Sequence, residues 1–281
     1  MPRLPVVAGQ FYDDDSELLR KDLEQCFSSD LGPHSINNTE AKPLIKGIIS
    51  PHAGYLYSGP CAAHAYNELS MSKKPDVFIL LGTSHSGYKT CLSSEDWQTP
   101  LGLVKNDIEL CSKLSEALQL PINNIAHKNE HSIEVQLPFL QFVVKKPIIV
   151  PLMVSHDIDP VDLGKRLKFF ISRLKKQVTV IASSDFTHYG ISYGYMPFVS
   201  NQKDNLYKLD KAAIDLILAG KTGKFLDFIE EKGATICGAM PISVLLEAIA
   251  PAKGELLKYY TSADITGDYS NAVGYASIIF R

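Results

Sequence analysis

The chain has 281 residues, of which 45% are hydrophobic and 21% charged, and 28 Lys and Arg stand against 31 Asp and Glu for a net charge of −3. A chain of this length and apolar content can bury a substantial core unaided, which excludes wholesale disorder. The near-balanced charge supplies no broad cationic surface, so neither nucleic acid nor an anionic membrane is expected as a general partner, although a basic stretch at 165–176 leaves room for a local patch.

In chain order, the apolar pattern predicts a helix at 16–27 and a linker-like stretch rich in Ser, Asn, Gly and Pro at 28–42. A strand at 44–49, a helix at 60–69 and a strand at 77–81 come next. Helices are then expected at 107–118 and 132–144, a strand at 148–154, a helix at 160–174 and a strand at 178–182. The chain closes with helices at 204–219 and 241–249 and strands at 256–260 and 276–280. Asp107 suits a helix N-cap, and Pro160 and Pro241 suit first helical turns. The strand runs are continuously apolar or β-branched, as in strands buried on both faces. With no internal repeat, the layout implies one α/β domain over 1–281, with a mainly parallel or mixed central β-sheet flanked by helices. No window reaches the roughly 18 apolar residues of a membrane span, and Met1-Pro2-Arg3-Leu4 does not open a secretory signal. The five cysteines, Cys26, Cys61, Cys91, Cys111 and Cys237, show no CxxC or paired spacing, so reduced thiols in a cytoplasmic protein are expected.

The loops at the strand ends carry the chemistry. Four apolar runs lead into Ser50-Pro51-His52-Ala53-Gly54, Gly82-Thr83-Ser84-His85-Ser86-Gly87, Ser155-His156-Asp157 and Ser183-Ser184-Asp185-Phe186-Thr187-His188. Carboxyl ends of strands border the ligand crevice of an open α/β sheet, so these distant loops can converge. Neutral imidazoles ligate divalent transition metals, which makes His52 and His85 candidate ligands, with a loop-capping role as the alternative. Asp185 and His188 offer a carboxylate and an imidazole for ligation or acid/base work, or else a surface Asx-turn.

Cys237, before a helix that Pro241 is expected to open, would have its thiol pKa lowered by amide donors and the helix dipole; a plain buried cysteine is the alternative. His131 either points into the crevice or, with Glu134, caps a helix. Tyr55 and Tyr57, in an aromatic turn after His52, and Trp97 could wall a pocket or serve packing. His34 and His127 read as solvated loop residues, His64 as a packed helix residue, and Cys26, Cys61 and Cys111 as buried helix residues. No Walker loop, GxGxxG, HExxH or GxSxG motif is present, so nucleotide binding and serine hydrolysis lose support.

At these residues the sequence resembles the MEMO family. The match runs through Pro51-His52-Ala53-Gly54-Tyr55 with Tyr57 and Gly59, Cys61-Ala62-Ala63-His64-Ala65-Tyr66 and Ser84-His85. It continues through Glu130-His131-Ser132-Ile133-Glu134 with Leu137-Pro138, Ser183-Ser184-Asp185-Phe186 with His188, and Ile236-Cys237-Gly238 with Pro241-Ile242. Each piece is short, but the ordered set spans most of the chain. The resemblance implies a fold like that of class III extradiol dioxygenases, which hold non-haem iron. It also implies a metal site of two His and one Cys, here His52, His85 and Cys237, with Asp185 and His188 beside them and His131 lining the crevice. A thiolate in place of the extradiol carboxylate is softer and favours Cu(I), Zn or Fe(II). Eukaryotic relatives are described as binding phosphotyrosine peptides of signalling receptors and taking part in copper- or iron-dependent redox signalling; many microbial ones are encoded near a radical-SAM protein and an AMMECR1-like protein.

The leading expectation is therefore a metal-binding, redox-active protein holding Fe(II) or Cu, with Zn as a further option. A small organic or peptide ligand would meet His131, Tyr55 and Tyr57, and His188 and Asp185 would do acid/base work. A non-catalytic peptide- or phosphopeptide-binding protein using the same crevice is the alternative. A cysteine nucleophile built on Cys237 and His188 is a weaker third.

Overall fold

The structure is a computed structural model that describes residues 1–34 and 42–281. Of the linker-like stretch at 28–42, residues 35–41 lie outside the described part. Helix α1 (Ser16–Ser28) opens on Asp15, whose carboxylate accepts from the amides of Glu17 and Leu18, and it buries Leu19, Leu23, Cys26 and Phe27 along one face. Strand β1 (Gly47–Ser50) leads to α2 (Tyr55–Ser70), then β2 (Val77–Thr83) and the short strands β3 (Cys91–Leu92), β4 (Trp97–Thr99) and β5 (Gly102–Asn106). Helices α3 (Ile108–Leu118), α4 (Asn124–His127) and α5 (Gln136–Val143) precede β6 (Ile148–Val154), α6 (Pro160–Ser172), β7 (Val178–Ser183) and β8 (His188–Gly190). The chain ends with α7 (Gln202–Leu218), α8 (Thr222–Lys232), α9 (Ala239–Ile249), β9 (Gly254–Thr261), α10 (Ala263–Thr266) and β10 (Asn271–Phe280).

These strands form one ten-stranded mixed sheet, ordered β4-β5-β6-β2-β7-β1-β10-β8, with β3 on β6 and β9 on β10. The central run β5-β6-β2-β7-β1 is parallel, and β10 joins β1 antiparallel. Alternation along the strands covers both faces: Ile79, Leu81, Val150 and Val180 pack under α3, α6 and α9, while Phe78, Leu80, Ile149 and Ile181 pack under α1, α2 and α5. Each such side chain taken fully out of water contributes about 1.5–3 kcal/mol before entropy is counted. Among the described residues no helix is long and apolar enough to cross a membrane.

Several elements differ from the sequence expectation. Helix α2 begins at Tyr55 rather than 60, because the Tyr55 amide is taken by the Phe11 carbonyl and Pro60 sits inside the helix. The turn expected around Tyr55 and Tyr57 is thus helix. The helix expected at 132–144 is confined to Gln136–Val143. The strand expected at 256–260 is part of β9, which pairs with β10 and is mostly half-buried, so it is not buried on both faces. Asp107 caps α3 and Pro160 opens α6 as the sequence implies; Pro241 is the third residue of α9.

Candidate metal centre

Because β2, β7 and β1 are parallel neighbours, their carboxyl ends open on one rim. His52 follows β1 through Pro51, and the amides of His52 and Ala53 donate to Asp185 Oδ1 at 2.8 and 3.3 Å. Asp185 follows β7, and its own amide donates to Cys237 Sγ at 3.3 Å, so this residue braces two loops at once. Cys237 arrives from the other side, at the start of α9. Gly238 makes that approach possible: a Cβ there would overlap Ser184 and lie 2.8 Å from the Ser183 carbonyl. The outcome is that Cys237 Sγ stands 3.2 Å from His52 Nε2, and donor atoms of His52, His85 and Cys237 all lie within 4.8 Å of one another.

The His52 ring is held in one tautomer. Ser183 Oγ donates its only hydrogen to the Ser132 carbonyl at 2.6 Å and accepts from Gln136 Nε2 at 2.8 Å, so its contact with His52 Nδ1 at 2.9 Å is a bond donated by the ring. Nε2 is then left bare toward Cys237. His188 obeys the same rule, because its Nδ1 donates to the Thr235 carbonyl at 3.0 Å and leaves Nε2 unprotonated in the neutral ring. Burial, together with His131 and His85 nearby, pushes His52 well toward the neutral form, and burial beside His85 lowers His131.

For Cys237 the sign differs from the sequence reading: burial of the sulfur, with the Asp185 carboxylate adding to it, raises the thiol well above its ordinary range. The amide bonds from Asp185 and Gly238 oppose this without overcoming it. Burial likewise raises Asp185, against the opposing effect of His188 and the amides it accepts. Two imidazoles and a sulfur gathered this closely form a donor set suited to a soft or borderline transition-metal cation, which would replace the thiol proton.

A cavity of about 650 Å³ opens over this group. His52, His85, His131, Asp185, His188 and Tyr57 all line it, together with Phe11, Tyr193, Asn271 and Tyr275. The His131 ring stacks on His85 at 4.5 Å and meets the edge of Phe11 at 5.0 Å. Tyr55 does not reach this cavity. Its hydroxyl donates to the Val135 carbonyl at 2.8 Å and its ring packs on Tyr12 and Phe139, so it faces a second cleft of about 1080 Å³, divided from the first by Gln10 and Phe11. Trp97 is fully buried beneath Arg3. His127 is not solvated: it is fully buried and its Nε2 meets the Cys91 carbonyl at 3.2 Å. His156, the fourth strand-end imidazole, is exposed and outside the cavity. Sequence reasoning missed Ser183, whose place beside Asp185 at a strand end was the available signal, and Phe11, for which no local signal exists.

A family model described as Memo-like protein matches residues 3–279. The chain belongs to the Memo-like family. A MEMO1 family protein of Methanopyrus kandleri is 39% identical over 292 residues, covering 100% of this Memo-like chain and 99% of its own length. One from Methanothermobacter thermautotrophicus is 37% identical, covering 99% of this chain and 100% of its own. An uncharacterized protein of Escherichia coli K12 superposes with a TM-score of 0.52 at 11% identity, over 84% of this Memo-like chain and 100% of its own, which is a likeness of fold alone.

Proposed function

We propose that this Memo-like chain binds a transition-metal ion, redox-active Fe(II) or Cu or else redox-inert Zn, through His52, His85 and Cys237, and acts on a small organic ligand held in the cavity above. The observation that carries the reading is the 3.2 Å approach of Cys237 Sγ to His52 Nε2 with His85 beside them. When bound, such an ion would supply electron transfer or polarise a ligand oxygen. The chain's own groups would do the rest. Tyr57, Phe11 and His131 enclose the ligand, and His188 accepts or returns a proton at the Nε2 that Thr235 leaves free. Asp185 holds the His52 loop and the sulfur in register, which makes it a brace more than a proton donor.

Two features weigh against phosphopeptide capture in this cavity. Among the described residues that line it none is Lys or Arg, and His52 and His131 are driven toward neutrality, so a phosphate dianion would meet little positive charge. A cysteine-nucleophile reading is opposed by the raised thiol.

The test is metal analysis of protein purified without oxygen, beside His52→Ala, His85→Ala and Cys237→Ser. Near-stoichiometric iron or copper, lost in each variant, is expected. Low occupancy unchanged by all three would overturn the proposal, and phosphotyrosine-peptide affinity that persists in chelator would favour the alternative.

A further inference from the structure

Glu130 takes no part in the proposed metal centre, yet it is among the least accessible carboxylates in the chain, with 1% of its side chain exposed, and it lies directly behind His85. Its Oε2 accepts the His85 backbone amide at 2.8 Å. Its Oε1 accepts the Ser132 amide at 2.8 Å and meets His85 Nδ1 at 3.0 Å. Its backbone carbonyl is in turn gripped by the Arg3 guanidinium at 2.7 Å. Two amide donors already point at this side chain, so it is present as an acceptor, and the remaining contact needs a hydrogen on His85 Nδ1. The neutral ring can then carry no hydrogen on Nε2.

A second ion held by Glu130, His85 and His131 would be the other way to read this group, since their donor atoms also lie within 4.8 Å of one another. The amides argue against it. They occupy both carboxylate oxygens from the protein side, and His85 Nδ1 is already engaged with Oε1 at 3.0 Å.

We propose that Glu130 is a positioning residue that locks His85 as the Nδ1–H tautomer and turns its Nε2 toward Cys237. This rests on the metal reading only for its purpose; the lock itself is a property of the chain. The two imidazoles of the site are then held unequally, His52 by a neutral serine hydroxyl and His85 by a buried carboxylate. Each partner fixes its ring and leaves Nε2 to face the site, His85 being held by a charged group and His52 by a neutral one. Glu130 also ties the turn before α5 to the β2 loop, and Gly82 permits this closeness, since a Cβ there would lie 2.6 Å from Ile133 and 2.7 Å from Ser132 Oγ.

The test has two arms. In metal-free protein at mildly alkaline pH, long-range proton–nitrogen spectra of the histidine rings should show His85 with a pyrrole-type Nδ1 and a pyridine-type Nε2. In Glu130→Gln the two nitrogens should change places or exchange. Titration with Co(II) should then find Glu130→Gln binding about 10- to 100-fold more weakly than the parent, with the sulfur-to-cobalt absorption of Cys237 retained and the ligand-field bands altered. A wild-type His85 protonated at Nε2 overturns the proposal, and so does a Glu130→Gln variant that matches the parent in both cobalt affinity and spectrum. Should Glu130→Gln fail to fold, the wild-type tautomer decides alone. A parent chain that takes up no Co(II) but keeps His85 protonated at Nδ1 removes the metal function and upholds the lock.

Discussion

His52 Nε2 and Cys237 Sγ meet at 3.2 Å although 185 residues separate them along the chain. Neither is charged on its own, since burial suppresses the imidazolium and raises the thiol. A neutral pair of this kind is a poor nucleophile and a ready cation trap, because an incoming ion displaces one proton and meets one bare nitrogen.

All five cysteines are free, four of them are buried, and Cys237 is half-buried. Near neutral pH, iodoacetamide should therefore label the native protein slowly and at Cys237 alone, whereas the unfolded chain takes five adducts. Zn(II) should abolish the single native adduct. Mass spectrometry of the intact protein checks this, and several native adducts, or one indifferent to zinc, would contradict the geometry.

Gly238→Ala should disturb the centre without touching a ligand. The backbone at Gly238 is open to any residue, so the requirement is space: the added methyl runs into Ser184 and the Ser183 carbonyl. Forcing α9 away from the end of β7 should cost about 1–3 kcal/mol by overpacking and lengthen the Cys237–His52 approach. Urea unfolding read alongside metal uptake should show both falling together. Normal uptake at reduced stability would mean that the close packing serves the fold and not the site.

The sequence made the centre legible because its pieces come directly after strands. Parallel strands deliver their carboxyl ends to one rim, so an imidazole two residues beyond β1 and another two beyond β2 arrive near each other once both strands flank β7. Cys237 stood out in the sequence by its place before a helix, but its meeting with His52 and His85 was legible only through the family resemblance, since no strand leads into it. The environment was not legible: the Cys237 thiol shifts up rather than down because packing around the sulfur outweighs nearby amides, and packing has no local signature. Tyr55 and Tyr57, two positions apart on a helix, face different clefts. In a turn both could have served one pocket. The short strands β3, β4, β5 and β8 escaped detection because two to five residues of mixed polarity show no period.

Arg3 anchors the segment that carries Phe11 to the cavity. Its guanidinium pairs with the fully buried Glu134, donates to the His127 and Glu130 carbonyls at 3.1 and 2.7 Å, and lies 4.3 Å over the Trp97 ring. Glu134 also accepts from Val6, Val7 and the Tyr12 hydroxyl. Arg3→Ala strands that carboxylate without its cation and should cost about 3–5 kcal/mol. Adding Glu134→Gln to Arg3→Ala should recover part of the loss, because the unpaired charge is gone. A double-mutant cycle in urea measures the coupling, and a double variant no more stable than Arg3→Ala alone would show that the ion pair is not what holds the segment.

Asp210 links the site to pH through the fold. It is fully buried on α7 and accepts from the Thr187 amide, the Thr187 hydroxyl and the Tyr259 hydroxyl, thereby fixing the stretch between Asp185 and His188. Burial pushes its carboxyl up to about 6 from an ordinary 3.8, against the pull of those hydrogen bonds. A carboxyl raised in the folded state favours folding fully below its unfolded pKa, and that contribution is lost as pH climbs to the folded value. Over the interval from 3.8 to about 6 the loss amounts to about 3 kcal/mol. Asp210→Asn keeps a neutral, similarly shaped group at all pH. The stability of the parent relative to Asp210→Asn should therefore decline between about pH 3 and pH 7, most steeply near about pH 5, where the folded carboxyl still holds its proton and the unfolded one has lost it. Parallel urea titrations of the two proteins across that range provide the measurement. A difference that stays flat, or that rises with pH, would mean the hydrogen bonds outweigh burial and Asp210 stays ionised throughout.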